Sequence, residues 1–280
     1  MKRKNTHNNI LKICILMVTL LSSALFYTKA DAASNTNWKT VTQSYNMYVK
    51  YGKYKIKYNA DKLYIKGKNV NKIINNVWYT GGGNVITNGT NIIYQKGKTL
   101  YLWKPKSNKK LFSVKKNLDL IGRYGNNYYF AHWDEYENNT VYIYNIKTHK
   151  VKKTKHHNGY YINGKYMLID GNFHEGGPSG LSIYNMQTGK TKGISTSARC
   201  GASGIISGNY VYYSAYVNKN VYDERLARFK IIKYNIKTGK KTTLMKGLKT
   251  EPFLINKNYY YYYDYNYKTF DSKIKIKHIK

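Results

Sequence analysis

The side chains best suited to chemistry gather in three short stretches: His132-Trp133-Asp134-Glu135, Asp170 with His174 and Glu175, and Arg199 beside Cys200. Imidazoles and carboxylates trade protons, and an arginine and a tryptophan among polar neighbours can hold a ligand, so these residues suit general acid/base work or carbohydrate binding. Metal ligation is not signalled, because neither His156-His157 nor His174-Glu175 has His-Glu-x-x-His spacing. Ser179, within Gly176-Gly-Pro-Ser-Gly180, lacks the Gly-x-Ser-x-Gly frame of a nucleophile elbow. Cys200 has Arg199 to lower its pKa and His156 or His157 as a candidate base, but an exported thiol is open to oxidation. Gly81-Gly-Gly83 lacks the following helix of a phosphate cradle. No cofactor or metal is expected, and His132 also fits a loop histidine satisfied by a backbone partner.

Whether these stretches meet depends on the elements that carry them, and a repeat sets those elements. Tyr144-Asn-Ile-Lys-Thr-His-Lys150, Tyr184-Asn-Met-Gln-Thr-Gly-Lys190 and Tyr234-Asn-Ile-Lys-Thr-Gly-Lys240 are copies of one phrase, with a degenerate copy at Trp103-Lys-Pro-Lys-Ser-Asn-Lys109. Successive copies start 41, 40 and 50 residues apart, a period that belongs to solenoids, propellers or arrays. Apolar and aromatic residues alternate into each copy, as in Val141-Tyr-Ile-Tyr144, and turn residues follow, so each reads as a β-hairpin. Gly189 and Gly239 stand where such a turn needs positive φ, and His149 and Asn108 are tolerant non-glycine substitutes.

A Tyr-rich strand precedes each hairpin, at 126–130, 163–168, 208–213 and 256–263, and shorter apolar segments flank the set. Four antiparallel strands per unit make the blade of a β-propeller, with partial blades expected at Lys55 to Ile74 and Phe253 to Ile279. Six units fit best, though five or seven also satisfy the spacing. A ring closed by pairing strands of the two partial blades leaves no exposed sheet edge.

The Leu-x-Ile-Tyr-Asn-x-x-Thr-Gly-Lys phrase, once per blade, resembles secreted bacterial propellers of the six-bladed, TolB-like kind, from about Tyr51 to the C-terminus. The resemblance implies an all-β, six-bladed fold of four-stranded antiparallel blades and says little about activity, since propellers host binding modules, hydrolases and lyases alike. No aspartate box, kelch double glycine or tryptophan-aspartate signature repeats.

Met1-Lys-Arg-Lys4, an apolar stretch from Ile13 to Tyr27 and Ala30-Asp-Ala32 read as a secretory signal peptide over residues 1–32. Residues 33–50 then form a leader and residues 51–280 the propeller. The apolar run of 15 residues is short of the ~20 a membrane helix needs, and Cys14 lacks the small neighbours of a lipoprotein cysteine. Removing this segment from 48 basic and 13 acidic residues leaves 43 and 12. AT-rich coding explains much of the lysine, but lysine and glutamate codons differ at one base, so the scarcity of glutamate points to an electrostatic role. Cys200 alone cannot form an intramolecular disulfide, so the fold rests on its core, with 33 tyrosines filling the space between blades. The run Tyr259 to Tyr263 reads as a strand packed on both faces, against a stacking platform for bases or sugars.

Ten of the twelve remaining acids fall in the expected second-to-third-strand loops, at Asp61, Asp134, Glu135, Glu137, Asp170, Glu175, Asp223, Glu224, Asp264 and Asp271. The hairpin turns carry lysine instead, so the molecule should be bipolar. Links at Lys153 to Gly159 and Ser195 to Ser203 join the same acidic face. The expected ligand funnel there comprises His132, Trp133, Asp134, Glu135, Asp170, His174, Glu175 and Arg199. The expected function is binding at the bacterial cell surface, by a secreted or wall-associated monomer without a membrane span. Its basic face holds anionic wall polymer or another polyanion, and its funnel takes a glycan or peptide. The alternative is an extracellular hydrolase or lyase acting on a polysaccharide or peptide, with His132, His174 and nearby carboxylates as acid and base. Nucleic acid suits the charge, but no nucleic-acid module is recognisable.

Overall fold

The computed structural model describes residues 38–41, 47–59, 61–77, 85–115, 118–133, 139–171, 178–199, 204–217, 227–250, 252–255, 257–266 and 271–279. The expected signal peptide lies outside these residues, as do Asp134, Glu135, His174, Glu175 and Cys200.

Alternating apolar and polar residues build antiparallel strands in consecutive groups. The first holds β2 (Val49–Tyr51), β3 (Tyr54–Asn59), β4 (Lys62–Gly67) and β5 (Val70–Ile74), preceded by a short β1 (Lys39–Thr40). The second holds β6 (Val85–Thr87), β7 (Ile92–Lys96), β8 (Thr99–Lys104) and β9 (Ser107–Ser113). The third holds β10 (Leu118–Tyr124), β11 (Asn127–Trp133), β12 (Asn139–Asn145) and β13 (Val151–His157). The fourth holds β14 (Gly159–Asn163), β15 (Tyr166–Asp170), β16 (Pro178–Asn185) and β17 (Lys190–Arg199). The fifth holds β18 (Ile205–Ser207), β19 (Tyr210–Tyr216), β20 (Phe229–Asn235) and β21 (Lys241–Leu248). The last holds β22 (Pro252–Ile255), β23 (Tyr259–Asn266) and β24 (Asp271–His278). Tyr144, Tyr184 and Tyr234 occupy the same place, one residue before the end of a third strand.

The repeat phrase closes each hairpin by one mechanism. The Asn145 side-chain carbonyl accepts the backbone N–H groups of Lys147 and Thr148, both at 3.0 Å, and Asn185 and Asn235 do the same for Gln187 and Thr188, and for Lys237 and Thr238. His149, Gly189 and Gly239 have φ of 55°, 72° and 77°, as their turn position requires. Asn108 departs from this expectation. The degenerate copy has Lys104 where the others have the seeding asparagine, and its strands meet in a two-residue turn at Pro105-Lys106, so Asn108 lies in β9 and bonds the Tyr94 hydroxyl.

The strand period of two places the core between groups. Ile92 and Tyr94 of β7 pack toward the first group, while Ile93 packs toward the third with Leu120 and Phe130. Ile121, Tyr129 and Val141 pack with Ile162 and Met167 of the fourth group, which in turn shares a core with the fifth and last. Tyr260, Tyr261 and Tyr262 are all buried, so this strand is packed on both faces. The result is an all-β, propeller-like arrangement of several four-stranded antiparallel sheets.

Two features differ from expectation. The starting group is a complete four-stranded sheet, and among the described residues β2 pairs with β3 and β24 with β23, without the anticipated pairing of terminal groups. Instead β1 lies between first strands, antiparallel to β6 and to β14. There the Thr40 hydroxyl donates to Ile121 O at 2.7 Å and accepts from Ile162 N at 2.8 Å, tying three groups together. Gly122 permits this close approach, since a Cβ there would stand 2.6 Å from the Ile162 side chain.

Candidate functional site

Alternation of strand direction gives each group two edges. One carries the first-to-second and third-to-fourth turns, the other the second-to-third loops. His132, at the loop edge, sits near the end of β11, opposite Thr140, with its ring 5.7 Å from that of Tyr142. Trp133 follows it as the last residue of β11. Asp170 ends β15 and Arg199 ends β17, where it pairs with Pro178. The described candidates thus share one edge of the third and fourth groups.

A polar chain underlies them. Thr140 Oγ1 lies 3.4 Å from His157 Nδ1; Asn158 Oδ1 accepts from Asn139 N at 3.3 Å; and Asn158 O accepts from Asp170 N at 3.0 Å. Ser179 donates to Asp170 Oδ1 at 2.6 Å, with both residues buried. Tyr160 is buried beside this carboxylate. Burial first, and then the Asp170 charge, hold its hydroxyl well above the ordinary tyrosine pKa, against a hydrogen bond with the Gly204 backbone. A buried carboxylate needs such donors, and Ser179 supplies one. Asp170 is therefore the fixed base of this edge, while His132 and Arg199 are partly exposed beside it. Asn139 contributes one further feature: its Oδ1 is buried without a hydrogen-bond partner.

His156 and His157 belong to β13 and Arg199 to β17, so the two expected inter-group links are largely strand. The His156 ring packs 4.2 Å from that of Tyr184, and burial, then Lys155 and His157, push its pKa down. Asp264 and Asp271 likewise lie in β23 and β24 instead of a loop, and Asp264 pairs with Lys275 at 2.6 Å. Among the described residues no cluster of three or more His, Cys, Asp or Glu is placed to hold a metal ion. The sequence reading missed Asn158 and Ser179. Asn158 had a signal, as an Asn-Gly pair at a turn, and its φ is 53°; Ser179 had none, because its partner arrives through tertiary packing.

The turn edge has the opposite character. Lys147, Lys150, Lys190, Lys237 and Lys240 are exposed there, and no first-to-second or third-to-fourth turn contains Asp or Glu. Lys192 of the fourth group reaches 5.8 Å from the Tyr234 ring, so neighbouring turn edges lie side by side.

No family model matches the chain, and no curated protein matches it. Solved structures similar to it include the β-propeller domain of the Trilobed protease from Pyrococcus furiosus, at 13% identity and a TM-score of 0.42, covering 70% of this chain and 65% of that one. Another is Pyrococcus horikoshii acylaminoacyl peptidase, at 12% identity and a TM-score of 0.42, covering 87% of this chain and 52% of that one. A third is the AfRom2 CNH domain, at 12% identity and a TM-score of 0.33, covering 86% and 99%. Likeness at this level leaves the roles of individual residues to the geometry above.

Proposed function

We propose that the chain is a six-bladed propeller of the secreted, TolB-like kind that works as a binding module at the bacterial cell surface. Its turn edge holds anionic wall polymer, and its loop edge takes a glycan or peptide through His132 and Arg199, with Asp170 anchoring the loop base. The carrying observation is charge segregation. Lysines fill the turns, whereas the described acids Asp61, Asp119, Asp170, Asp264 and Asp271 all stand at or near the loop edge. Exposed lysines attract polyanions without fixed geometry, and salt screens them as the Debye length falls from about 10 Å at 0.1 M to about 3 Å at 1 M. Chromatography on immobilised wall polymer or heparin tests this. Elution should move to lower salt when Lys147, Lys150, Lys190, Lys237 and Lys240 are changed to Gln; retention indifferent to salt and to these changes would sink the reading.

The second reading is an extracellular enzyme acting on a peptide or polysaccharide. The buried Asp170–Ser179 pair favours it, since it fixes a polar edge beside an available imidazole. His132→Ala, His174→Ala and Arg199→Ala decide between the two. An enzyme loses turnover with folding intact, whereas a binding module loses affinity only.

A further inference from the structure

Where β1 meets the turn edge, a lysine is drawn into the hub. Lys39 stands opposite Asn163, the last residue of β14, and Thr87, the last residue of β6, so it leaves the backbone at the turn-bearing end of the first strands. Its ammonium lies 4.9 Å from the ring centroid of Tyr51, the last residue of β2 before the Gly52-Lys53 turn. Tyr51 is close enough to Tyr161 of the fourth group and Tyr261 of the last to act on both electrostatically. Three groups thus wall this lysine with tyrosines.

Lys39 is partly buried, and withdrawal from water pushes its pKa down. Among the described residues no carboxylate forms an ion pair with it. The tyrosine face offsets part of the desolvation, by about 0.5–1 kcal/mol at exposed sites and ~2 when dry. An opposite charge within about 4–6 Å shifts a pKa by ~1–3 units, so a counter-anion would favour the ammonium more. Arg123, 5.6 Å from the ring of the adjacent Trp38, adds a second positive charge near the same strand.

We propose that this hub is an anion-binding site that takes one oxyanion group, phosphate or carboxylate, on the Lys39 ammonium. It rests on the polyanion reading of the turn edge and deepens it, adding one stoichiometric contact to a diffuse field of lysines.

The test follows lysine 13Cε resonances of the full chain during titration with sodium phosphate, and separately with sodium acetate, at constant ionic strength. The Lys39 signal is assigned by its loss in Lys39→Arg, which keeps the charge. It should shift saturably, with its pH midpoint raised by about one unit or more, and Lys→Gln changes at 147, 190 and 237 should leave saturation unaltered. A response to phosphate alone identifies a phosphate ester as the natural group, and a response to both identifies any oxyanion. A Lys39 signal that stays still, or drifts linearly in step with the turn lysines, overturns the site even if heparin retention persists. Loss of salt-dependent retention with Lys39 saturation intact would remove the polyanion reading and leave the site standing.

Discussion

Asp170 shows how one buried charge is held. Its carboxylate accepts from Ser179 at 2.6 Å, and a hydrogen bond to a charged group contributes ~1.5–3 kcal/mol. Ser179→Ala should therefore lower stability by about that amount, read as a lower urea midpoint with an unchanged slope. The tyrosines give a pH prediction. Burial pushes Tyr213 and Tyr261 up to about 12, whereas the unfolded chain ionises them near 10. Their neutral forms contribute fully below pH 10, and that contribution is lost as pH rises from 10 to 12, since the unfolded state sheds those protons first. Absorbance at 295 nm should resolve exposed tyrosines titrating near 10 from a buried set that ionises later. A single transition near 10, with the fold intact, would contradict the burial.

At the scale of elements, turn and packing contacts carry separate costs. Asn235→Ala removes two side-chain bonds to the turn backbone and should cost about 1 kcal/mol, as should Asn145→Ala. The two turns lie in different groups, so the double variant should show the sum in chemical denaturation. Gly122→Ala is harsher. Its Cβ would sit 2.6 Å from Ile162, and neither first strand can shift without disturbing β1 between their neighbours. A loss of about 1–3 kcal/mol is expected, the range for overpacking a filled core.

At the scale of the molecule, β1 is the cross-piece. Thr40→Val keeps the shape but leaves Ile162 N and Ile121 O without their hydroxyl partner. Each orphaned buried group costs about 1–3 kcal/mol. The thermal midpoint should fall while salt-dependent retention on heparin is unchanged, because the turn lysines are elsewhere. A variant as stable as the parent would show that β1 is dispensable.

The sequence by itself determined what depends on neighbours in the chain. Period-two alternation placed Tyr144, Tyr184 and Tyr234 on third strands, and the asparagine and glycine positions fixed the turns, because a side-chain carbonyl reaches only two or three residues onward. Asn108 failed that reasoning for an equally local reason, the absent seeding asparagine at Lys104. Of the candidate site, the sequence placed His132, Asp170 and Arg199 near strand ends, while Asp134, Glu135, His174 and Glu175 lie outside the described residues. Tertiary structure decided the rest. Thr40 meets partners 81 and 122 residues away, and Gln95 of β7 spans two groups by accepting from Leu120 N while donating to Leu118 O. No local pattern encodes those meetings, because they exist only once separate sheets have packed face to face.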